Sequence, residues 1–170
     1  MRFLIIGDVI GKPGRKLVGE KVKTIKKSHN IDAVIVNGEN SAGGLGITPE
    51  TTEELLGFGI DVVTTGNHVW DKKEILPYID SQFRLLRPLN YPPGVPGNGS
   101  VILKNNQRKW AVLNLSGRVF MSPLDCPFQT LDKELEIIKK ETNIILVDFH
   151  AEATSEKIAF GWYCDGRVSC

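Results

Sequence analysis

Short, almost uninterrupted apolar runs recur along this chain, and they limit its fold more than any other feature. The clearest runs cover residues 3–6, 33–36, 60–63 and 144–150. Runs of this kind are typical of strands that are buried on both faces, as in a parallel sheet. Between them lie segments with helical spacing, for example Val18, Val22 and Ile25. This alternation predicts an α/β fold in which helices connect parallel strands.

Local signals predict several helix boundaries. Thr48 has the character of an N-cap, and Pro49 that of a first helical residue. A further helix is predicted over residues 73–79, and residues 154–156 predict the capped start of a short helix that ends near Trp162. Helical spacing marks another helix at Leu131, Leu135 and Ile138.

Residues 87–99 contain four prolines and three glycines, and this composition predicts a loop. After the loop, two apolar runs flank Asn105-Asn106 and predict a hairpin, so at least one antiparallel pair is expected beside the parallel strands. The flanking runs cover residues 101–103 and 110–115. Residues 166–170 have the pattern of a strand that is beginning.

The composition is that of an ordinary globular domain, and it argues against several partners. The 170 residues are 41% hydrophobic and 24% charged, and the formal net charge is +1. A chain so close to neutrality offers no electrostatic basis for binding duplex DNA or an anionic membrane. The three cysteines without a CxxC pair and the short apolar N-terminal run fit a cytoplasmic protein. We expect a single domain over residues 1–170.

Each of the four apolar runs ends in polar side chains of the types that bind metal ions. In an open α/β sheet, ligands gather outside the carboxyl ends of the strands, so residues far apart in sequence would meet in one crevice. Glycine precedes three of the four groups, where it permits a sharp turn and a close approach of the backbone to a ligand. The side chains are those of Asp8, Glu39, Asn40, Asn67, His68 and His150.

This combination of carboxylates, amide oxygens and imidazoles suits divalent ions such as Mn(II), Fe(II) or Zn(II). A carboxylate that bridges two ions would hold them roughly 3.5 Å apart, which is the spacing found in two-metal hydrolases. Two such ions clamp a phosphoryl group and activate a water molecule, while a neighbouring group such as His68 protonates the leaving oxygen. The pattern therefore predicts a two-metal site for phosphoester hydrolysis.

Most members of this set also have an ordinary structural interpretation. Asp8 could cap the following helix, and Asn67 could occupy a turn, because asparagine accepts left-handed backbone geometry. His68 and His150 could be surface histidines. Glu39, between glycine and asparagine at a strand end, has no obvious packing role. The coincidence of all these residues at strand ends favours the site.

Several long segments carry a specific combination of motifs. They are GDVIGKPGR, VNGENSAGGLGIT, GIDVVTTGNHVWD, RPLNYPPGVPG, DCPF, VDFHAEATSEK and GWYCDGRVS. Together they resemble the YmdB-type branch of the calcineurin-like metallophosphoesterases, over residues 1–170. The resemblance implies a four-layer α/β/β/α sandwich with two divalent metal ions, Fe or Mn before Zn. It also implies phosphodiesterase activity, notably on 2′,3′-cyclic nucleotides.

Taken position by position, the resemblance implies a role for each polar residue. His68 matches the general acid of the GNH motif, and Glu39 matches the ligand that bridges the two metals. The motif assigns no role to Asp71, which either orients His68 or starts the next helix, and the sequence favours the second interpretation. The residues that match metal ligands are Asp8, Glu39, Asn40, Asn67 and His150.

Other segments offer weaker candidates. The glycine-rich residues 43–46 suggest a nucleotide-binding loop, but they match neither G-x-G-x-x-G nor GxxxxGK[ST]. Arg118 and residues 87–99 are candidates for substrate contact, although ordinary loop structure is the favoured interpretation of both.

The sequence departs from the resemblance in two places. The segment Asp8-Val9-Ile10 lacks the histidine of the superfamily's D-x-H motif, as is usual in this branch. The branch also carries a T-H-x-H segment beyond the equivalent of residue 167, and the sequence contains none. The resemblance thus implies that two imidazole ligands and about the last third of a typical member are missing.

Two hypotheses on function follow from this comparison. The first is a two-metal phosphodiesterase that acts on small phosphodiesters or cyclic nucleotides. The second is a metal-poor remnant, weakly active or inactive, that binds phosphate or a nucleotide. A homo-oligomer is compatible with the resemblance, because a neighbouring subunit could cover a sheet edge that the missing strands would otherwise cover.

Overall fold

The structure, a computed structural model, describes residues 1–105 and 108–170 and contains two β-sheets flanked by helices. The strands are β1 (Phe3–Ile6), β2 (Ala33–Asn37), β3 (Val62–Thr64), β4 (Leu85–Leu86), β5 (Ser100–Asn105), β6 (Arg108–Ser116) and β7 (Ile145–His150). The helices are α1 (Gly11–Ser28), α2 (Pro49–Gly57), α3 (Leu76–Ile79), α4 (Pro127–Ile138) and α5 (Thr154–Cys164). Short 3₁₀ segments occur at Asn67–Trp70 and Lys73–Ile75.

The two sheets differ in their strand directions. The first has the order β1-β2-β3-β4, with each neighbouring pair parallel. The second has the order β5-β6-β7, in which β5 and β6 are antiparallel whereas β6 and β7 are parallel. The predicted hairpin is therefore present as β5 and β6. Its turn residue Asn106 lies outside the described residues.

Three apolar clusters lie between the four layers of the fold, which are two layers of helices and two sheets. Between the first sheet and α1 and α2 lie Val22, Val34, Val36, Leu55 and Val63. Between the two sheets lie Ile35, Val62, Trp110, Val112 and Leu146. Between the second sheet and α4 and α5 lie Leu113, Leu131, Leu135, Ile145 and Phe160. The predicted four-layer α/β/β/α sandwich is thereby confirmed.

The alternation of side chains along β2 explains why its sequence is continuously apolar. Val34 and Val36 face the helices, whereas Ile35, between them, faces the second sheet. Successive side chains of a strand point to opposite faces, so a strand in an inner layer must be apolar at every position. All five residues of β2 are buried, and this inner position places the polar end of β2 at the centre of the sheet edge.

Two predicted helices have different boundaries in the structure. The segment predicted as one helix over residues 73–79 is split into the 3₁₀ turn Lys73–Ile75 and the helix α3. Pro77 lies at the start of α3, where its missing N–H is tolerated, and it cannot donate the bond that would continue a preceding helix. For α5, the N-cap is Ala153 and makes no side-chain capping bond, so the predicted cap at residues 154–156 is wrong.

Other local predictions are confirmed or refined. Thr48 and Thr51 form a reciprocal capping box at the start of α2, with Pro49 in its first turn. Residues 166–170 do not form a regular strand, but they run beside β7: the amide of Ser169 donates to Ile145, and the carbonyl of Cys170 accepts from Val147. Within residues 1–105 and 108–170, no helix is long and apolar enough to cross a membrane.

Candidate active site

The predicted polar groups meet where strands of both sheets end. Asp8 follows β1, Glu39 and Asn40 follow β2, and Asn67 follows β3. Because β1, β2 and β3 are adjacent and parallel, their carboxyl ends share one edge of the first sheet. His150 is the last residue of β7 and belongs to the second sheet. The cluster therefore lies across the interface between the two sheets.

Gly66 leaves the space in which the two sheets come together at this cluster. A Cβ at this position would lie 2.5 Å from Oε2 of Glu39 and would also collide with the ring of His150. Only glycine allows both side chains to approach this stretch of backbone. At Gly7, by contrast, a Cβ would meet no atom within 4 Å. Close packing that only glycine permits thus occurs at Gly66 and also at Gly38, where a Cβ would lie 2.9 Å from Cγ1 of Val63, but not at Gly7. The close approach of this backbone to a ligand stays a prediction.

Glu39 is the most central side chain of the cluster. It is 1% exposed. Its Oε1 lies 3.1 Å from Nε2 of His150, and its Oε2 accepts a hydrogen bond of 3.1 Å from the backbone amide of His68. The two carboxylate oxygens therefore face different groups, one on β7 and one on the turn after β3.

Two further contacts connect the remaining strand ends. Nδ2 of Asn40 donates to Oδ2 of Asp8 over 2.8 Å, which joins the ends of β2 and β1. Nε2 of His150 lies 2.7 Å from Oδ1 of Asn67, which joins the ends of β7 and β3. All five residues predicted as metal ligands are thus brought together, with Glu39 just after the middle of the three strands, β2.

The buried position of Glu39 changes its ionisation. Burial raises the pKa of Glu39 above its ordinary value, and the carboxylate of Asp8 acts in the same direction. The His150 imidazole and the hydrogen bond from the amide of His68 oppose this rise. The carboxyl group thus sits in a position where a cation beside it would favour its charged form.

The chemistry of the cluster fits divalent metal ions. It offers two carboxylates, two amide oxygens and one imidazole, which suit ions such as Mn(II), Fe(II) and Zn(II). Oδ1 of Asn40 is buried and has no hydrogen-bond partner among the described residues, although such atoms are nearly always paired. Within residues 1–105 and 108–170, no group of three His, Cys, Asp or Glu side chains is arranged to hold a metal. Coordination would therefore have to include the amides of Asn40 and Asn67.

The ring of His68 contacts the carboxylate of Asp71, which is not one of the predicted metal ligands. Its Nδ1 lies 2.7 Å from Oδ2 of Asp71. Asp71 ends the 3₁₀ turn Asn67–Trp70, and the next 3₁₀ turn has Lys72 as its N-cap. The favoured expectation that Asp71 starts a helix is therefore wrong. The alternative, in which Asp71 orients His68, agrees with the structure, because the carboxylate holds one ring nitrogen and leaves Nε2 available.

A polar seam between the two sheets was not predicted from the sequence. The hydroxyl of Thr64 on β3 donates to the carboxylate of Asp148 on β7. Nδ2 of Asn114 donates to the carbonyl of Thr65 over 2.9 Å, and Asn114 is aligned with Asp148 in the β6–β7 pairing. Burial raises the pKa of Asp148, while the hydrogen bond from Thr64 opposes the rise. The available signal was that single polar residues interrupt two otherwise apolar strands.

Two of the three weaker candidates have structural explanations in the described residues. Gly43, Gly44 and Gly46 have positive φ angles of 74°, 103° and 80°, so the glycines of residues 43–46 serve the backbone conformation of that loop. In residues 87–99, the guanidinium of Arg87 donates to the carbonyl of Pro96 over 3.2 Å and holds the loop together. The side chain of Arg118 is exposed.

Comparison with known proteins identifies the family. The family described as YmdB-like protein matches residues 4–170. The chain belongs to the YmdB-like family. A 2′,3′-cyclic-nucleotide 2′-phosphodiesterase of Bacillus subtilis (strain 168) is 50% identical over 169 residues, which are 99% of this chain and 64% of that relative. The chain thus spans less than two thirds of the length of this relative.

Solved structures agree with the assignment of family and fold. A hypothetical protein from Thermus thermophilus is 44% identical with a TM-score of 0.92, and the match covers 99% of this chain and 65% of that one. A novel phosphatase from Mycoplasma pneumoniae is 35% identical with a TM-score of 0.90, covering 98% and 61%. The NAD nucleotidase of Haemophilus influenzae is 15% identical with a TM-score of 0.66 over 92% of this chain and 39% of that one, and this likeness is one of fold alone.

Proposed function

We propose that this YmdB-like chain is a metal-dependent phosphodiesterase domain over residues 1–170 that hydrolyses 2′,3′-cyclic nucleotides. The observation that carries the proposal is the meeting of five ligand-type side chains from both sheets. The buried carboxylate of Glu39 lies beside His150, His150 lies beside Asn67, and Asn40 donates to Asp8. The name of the B. subtilis relative supports the choice of substrate. Because the chain covers 64% of that relative, the activity is a proposal for this chain.

The five side chains would hold two divalent ions, with Glu39 shared between them. This role for Glu39 is supported by its two oxygens, which already face different groups. Iron or manganese suits the mixed oxygen and nitrogen donors, and zinc is the next choice. When bound, such ions neutralise charge on the phosphoryl group and lower the pKa of the attacking water. The proposed ligands are Asp8, Glu39, Asn40, Asn67 and His150.

His68 would supply the proton that the leaving oxygen needs. The contact between Nδ1 of His68 and Asp71 supports this role, because it fixes the ring and leaves Nε2 free to face the substrate. Water adds to phosphorus and releases one proton to solvent, the bond between phosphorus and the 2′ oxygen breaks, and that oxygen receives a proton from His68, which regains one from solvent. The product of this step is a nucleoside 3′-phosphate.

A second candidate function is a metal-poor binding module. It is favoured by the absence, within the described residues, of three His, Cys, Asp or Glu side chains arranged for a metal. It is also favoured by the direct hydrogen bonds between would-be ligands, such as Asn40 to Asp8. In this case the crevice would bind a phosphate or nucleotide without efficient turnover.

Elemental analysis of the purified chain, prepared with Mn(II) or Fe(II) and without chelator, separates the two functions. We expect close to two ions per chain and hydrolysis of 2′,3′-cyclic AMP. Glu39→Gln should lose both metal and hydrolysis, whereas Glu136→Gln, on the exposed face of α4, should change neither. One ion or fewer, together with no hydrolysis, would support the binding module instead.

We also propose a cytoplasmic location and association into a homo-oligomer. The location is supported by Cys126, Cys164 and Cys170, which form no disulfide in the described structure. Light scattering on the purified chain measures the oligomeric state, and a monomeric mass at all concentrations would contradict the second part of this proposal.

A further inference from the structure

Phe120 combines two properties that are rarely found together. Its side chain is 87% exposed, which makes it the most exposed of the large hydrophobic residues in the described structure. Its backbone has a φ of 63°, in the left-handed region that non-glycine residues seldom adopt. Packing does not compensate for this conformation, because the ring is in solvent. Backbone strain of this kind, held in place by the surrounding structure, concentrates at functional sites.

The loop that carries Phe120 is firmly held at its base. The carboxylate of Glu156, in the first turn of α5, accepts hydrogen bonds from the amides of Arg118 at 2.9 Å and Val119 at 3.1 Å. The amide of Gly117 donates to the carbonyl of His150 over 2.9 Å. The base of the loop is therefore fixed, and it is attached to the strand end that carries His150.

A small cavity connects Phe120 to the candidate active site. It has a volume of about 270 Å³ and is lined by Asn67, Phe120, Met121, Ser122 and Glu152. This size is just below the range of roughly 300–1,000 Å³ typical of small-molecule sites. Asn67 belongs to the proposed ligand set, so a molecule whose phosphate is held by that set would extend into this cavity.

The lining of the cavity favours a nucleobase over a second phosphate. The carboxylate of Glu152 would repel a phosphate, but it can accept hydrogen bonds from the amino groups of a base. An exposed aromatic ring offers a stacking surface, since every base has a π-face. An adenine ring can stack on the aromatic group and donate a hydrogen bond from its amino group to the acceptor.

We propose that Phe120 is the stacking surface for the nucleobase of the substrate, and that it determines preference for nucleotides over other cyclic phosphodiesters. The inference rests on the proposed function for the class of substrate. It assigns a separate task to a loop that holds none of the proposed metal ligands. The cyclic phosphate lies at the strand ends, and the base lies in the cavity against the ring of Phe120.

Kinetic comparison of two substrates tests the proposal. One is 2′,3′-cyclic AMP, and the other is glycerol 1,2-cyclic phosphate, which has the same five-membered phosphate ring without a base. Phe120→Ala should raise KM for the nucleotide by roughly 5-fold to 150-fold, the scale of one base stacked on an aromatic ring. Its kcat, and both constants for the glycerol compound, should stay unchanged. Phe120→Tyr should restore the KM for the nucleotide.

Two further variants separate stacking from folding. Phe120→Gly should raise the stability of the fold, because glycine adopts a positive φ without strain, yet it should lose the same preference for the nucleotide. Phe83→Ala serves as the matched control, because Phe83 is also exposed, at 55%. It precedes β4 and so lies at the amino ends of the strands, away from the candidate active site at their carboxyl ends. An equal loss for both substrates in Phe120→Ala, or no loss for either, would overturn the proposal.

Binding measurements keep the inference distinct from the proposed function. If the unmodified chain hydrolyses neither substrate, the proposed function fails, and titration with adenosine 3′-monophosphate against glycerol phosphate still tests the stacking. Weaker binding of the nucleotide alone by Phe120→Ala supports the stacking surface. Equal binding of the nucleotide by the variant and the unmodified chain rejects it.

Discussion

Nδ1 of His68 and Oδ2 of Asp71 lie 2.7 Å apart across a single 3₁₀ turn, three residues from one to the other. The contact is local in sequence, so the orientation of the ring depends little on how the two sheets meet. Glu39 forms the connection to the rest of the cluster, since it accepts the backbone amide of His68. Ring orientation and ligand geometry therefore rest on separate contacts, which can be removed one at a time.

Replacing Asp71 by asparagine should slow the enzyme without removing its metal. The new amide keeps the shape of the side chain but loses the charge that holds the imidazole, and loss of such an outer partner typically costs roughly 10-fold to 100-fold. We expect kcat to fall by that factor while metal content is unchanged. Asp165→Asn, an exposed change at the end of α5, is the control. Loss of metal in Asp71→Asn would mean that Asp71 belongs to the ligand set.

Replacing His68 by alanine should have a larger effect on the same step. Without a group to protonate the leaving oxygen, kcat should fall by roughly 10²-fold or more, with metal content and folding retained. His29→Ala is the matched control, because this exposed histidine follows α1 beside Arg2, at the amino end of β1 and thus at the opposite end of the strand from Asp8. An emptied metal site in His68→Ala would show that His68 is a ligand and that its assigned role is wrong.

Replacing Gly66 by alanine should damage both stability and activity. The added Cβ would lie 2.5 Å from Oε2 of Glu39 and would clash with the His150 ring. Overpacking of this kind costs roughly 1–3 kcal/mol of unfolding free energy. Gly161→Ala, in α5 with no atom within 4 Å of the new Cβ, should instead be neutral or stabilising by up to about 1 kcal/mol. Equal urea midpoints for the two variants would refute the crowding at Gly66.

Alkaline stability should depend on Tyr78. Partial burial, together with a hydrogen bond to the carboxylate of Glu53, raises the pKa of Tyr78 from 10.0 to about 12. The unfolded chain therefore loses this proton first as the pH rises. The stability contributed by Tyr78 is complete below the unfolded value of 10.0 and is lost as the pH rises through about 12.

The measurement for Tyr78 is urea unfolding of Tyr78→Phe and of the unmodified chain at several pH values. Phenylalanine cannot ionise, so any stability advantage of the unmodified chain should shrink between pH 10 and about 12. Groups common to both proteins cancel in the difference. A difference that stays constant across this interval would contradict the assigned pKa.

The sequence predicts the inner strands and the strand-end residues well, because both leave local signals. β2 is apolar at successive positions because two layers pack on it. Asp8, Glu39 and Asn67 follow three adjacent parallel strands, so they necessarily lie at the same edge of the first sheet. Their metal-binding roles remain predictions, since they depend on chemistry that packing alone does not determine.

Contacts between distant segments could not be predicted from local pattern. The ring of His150 meets Asn67 across 83 residues, and the carboxylate of Asp148 meets Thr64 across 84 residues. The sequence also does not indicate which sheet contains β7, because a buried parallel strand has the same apolar pattern in either sheet. For Asp71, the common preference for carboxylates at helix starts favours the wrong interpretation, because the local turn instead brings it to His68.

The position of Glu39 and His150 on opposite sheets has a mechanical consequence. Any ligand that binds both side chains links the first sheet to the second. Such a ligand binds the folded chain and not the unfolded one, so it shifts the folding equilibrium in proportion to its affinity and concentration. Occupancy of the crevice and resistance to sliding between the sheets should therefore rise together.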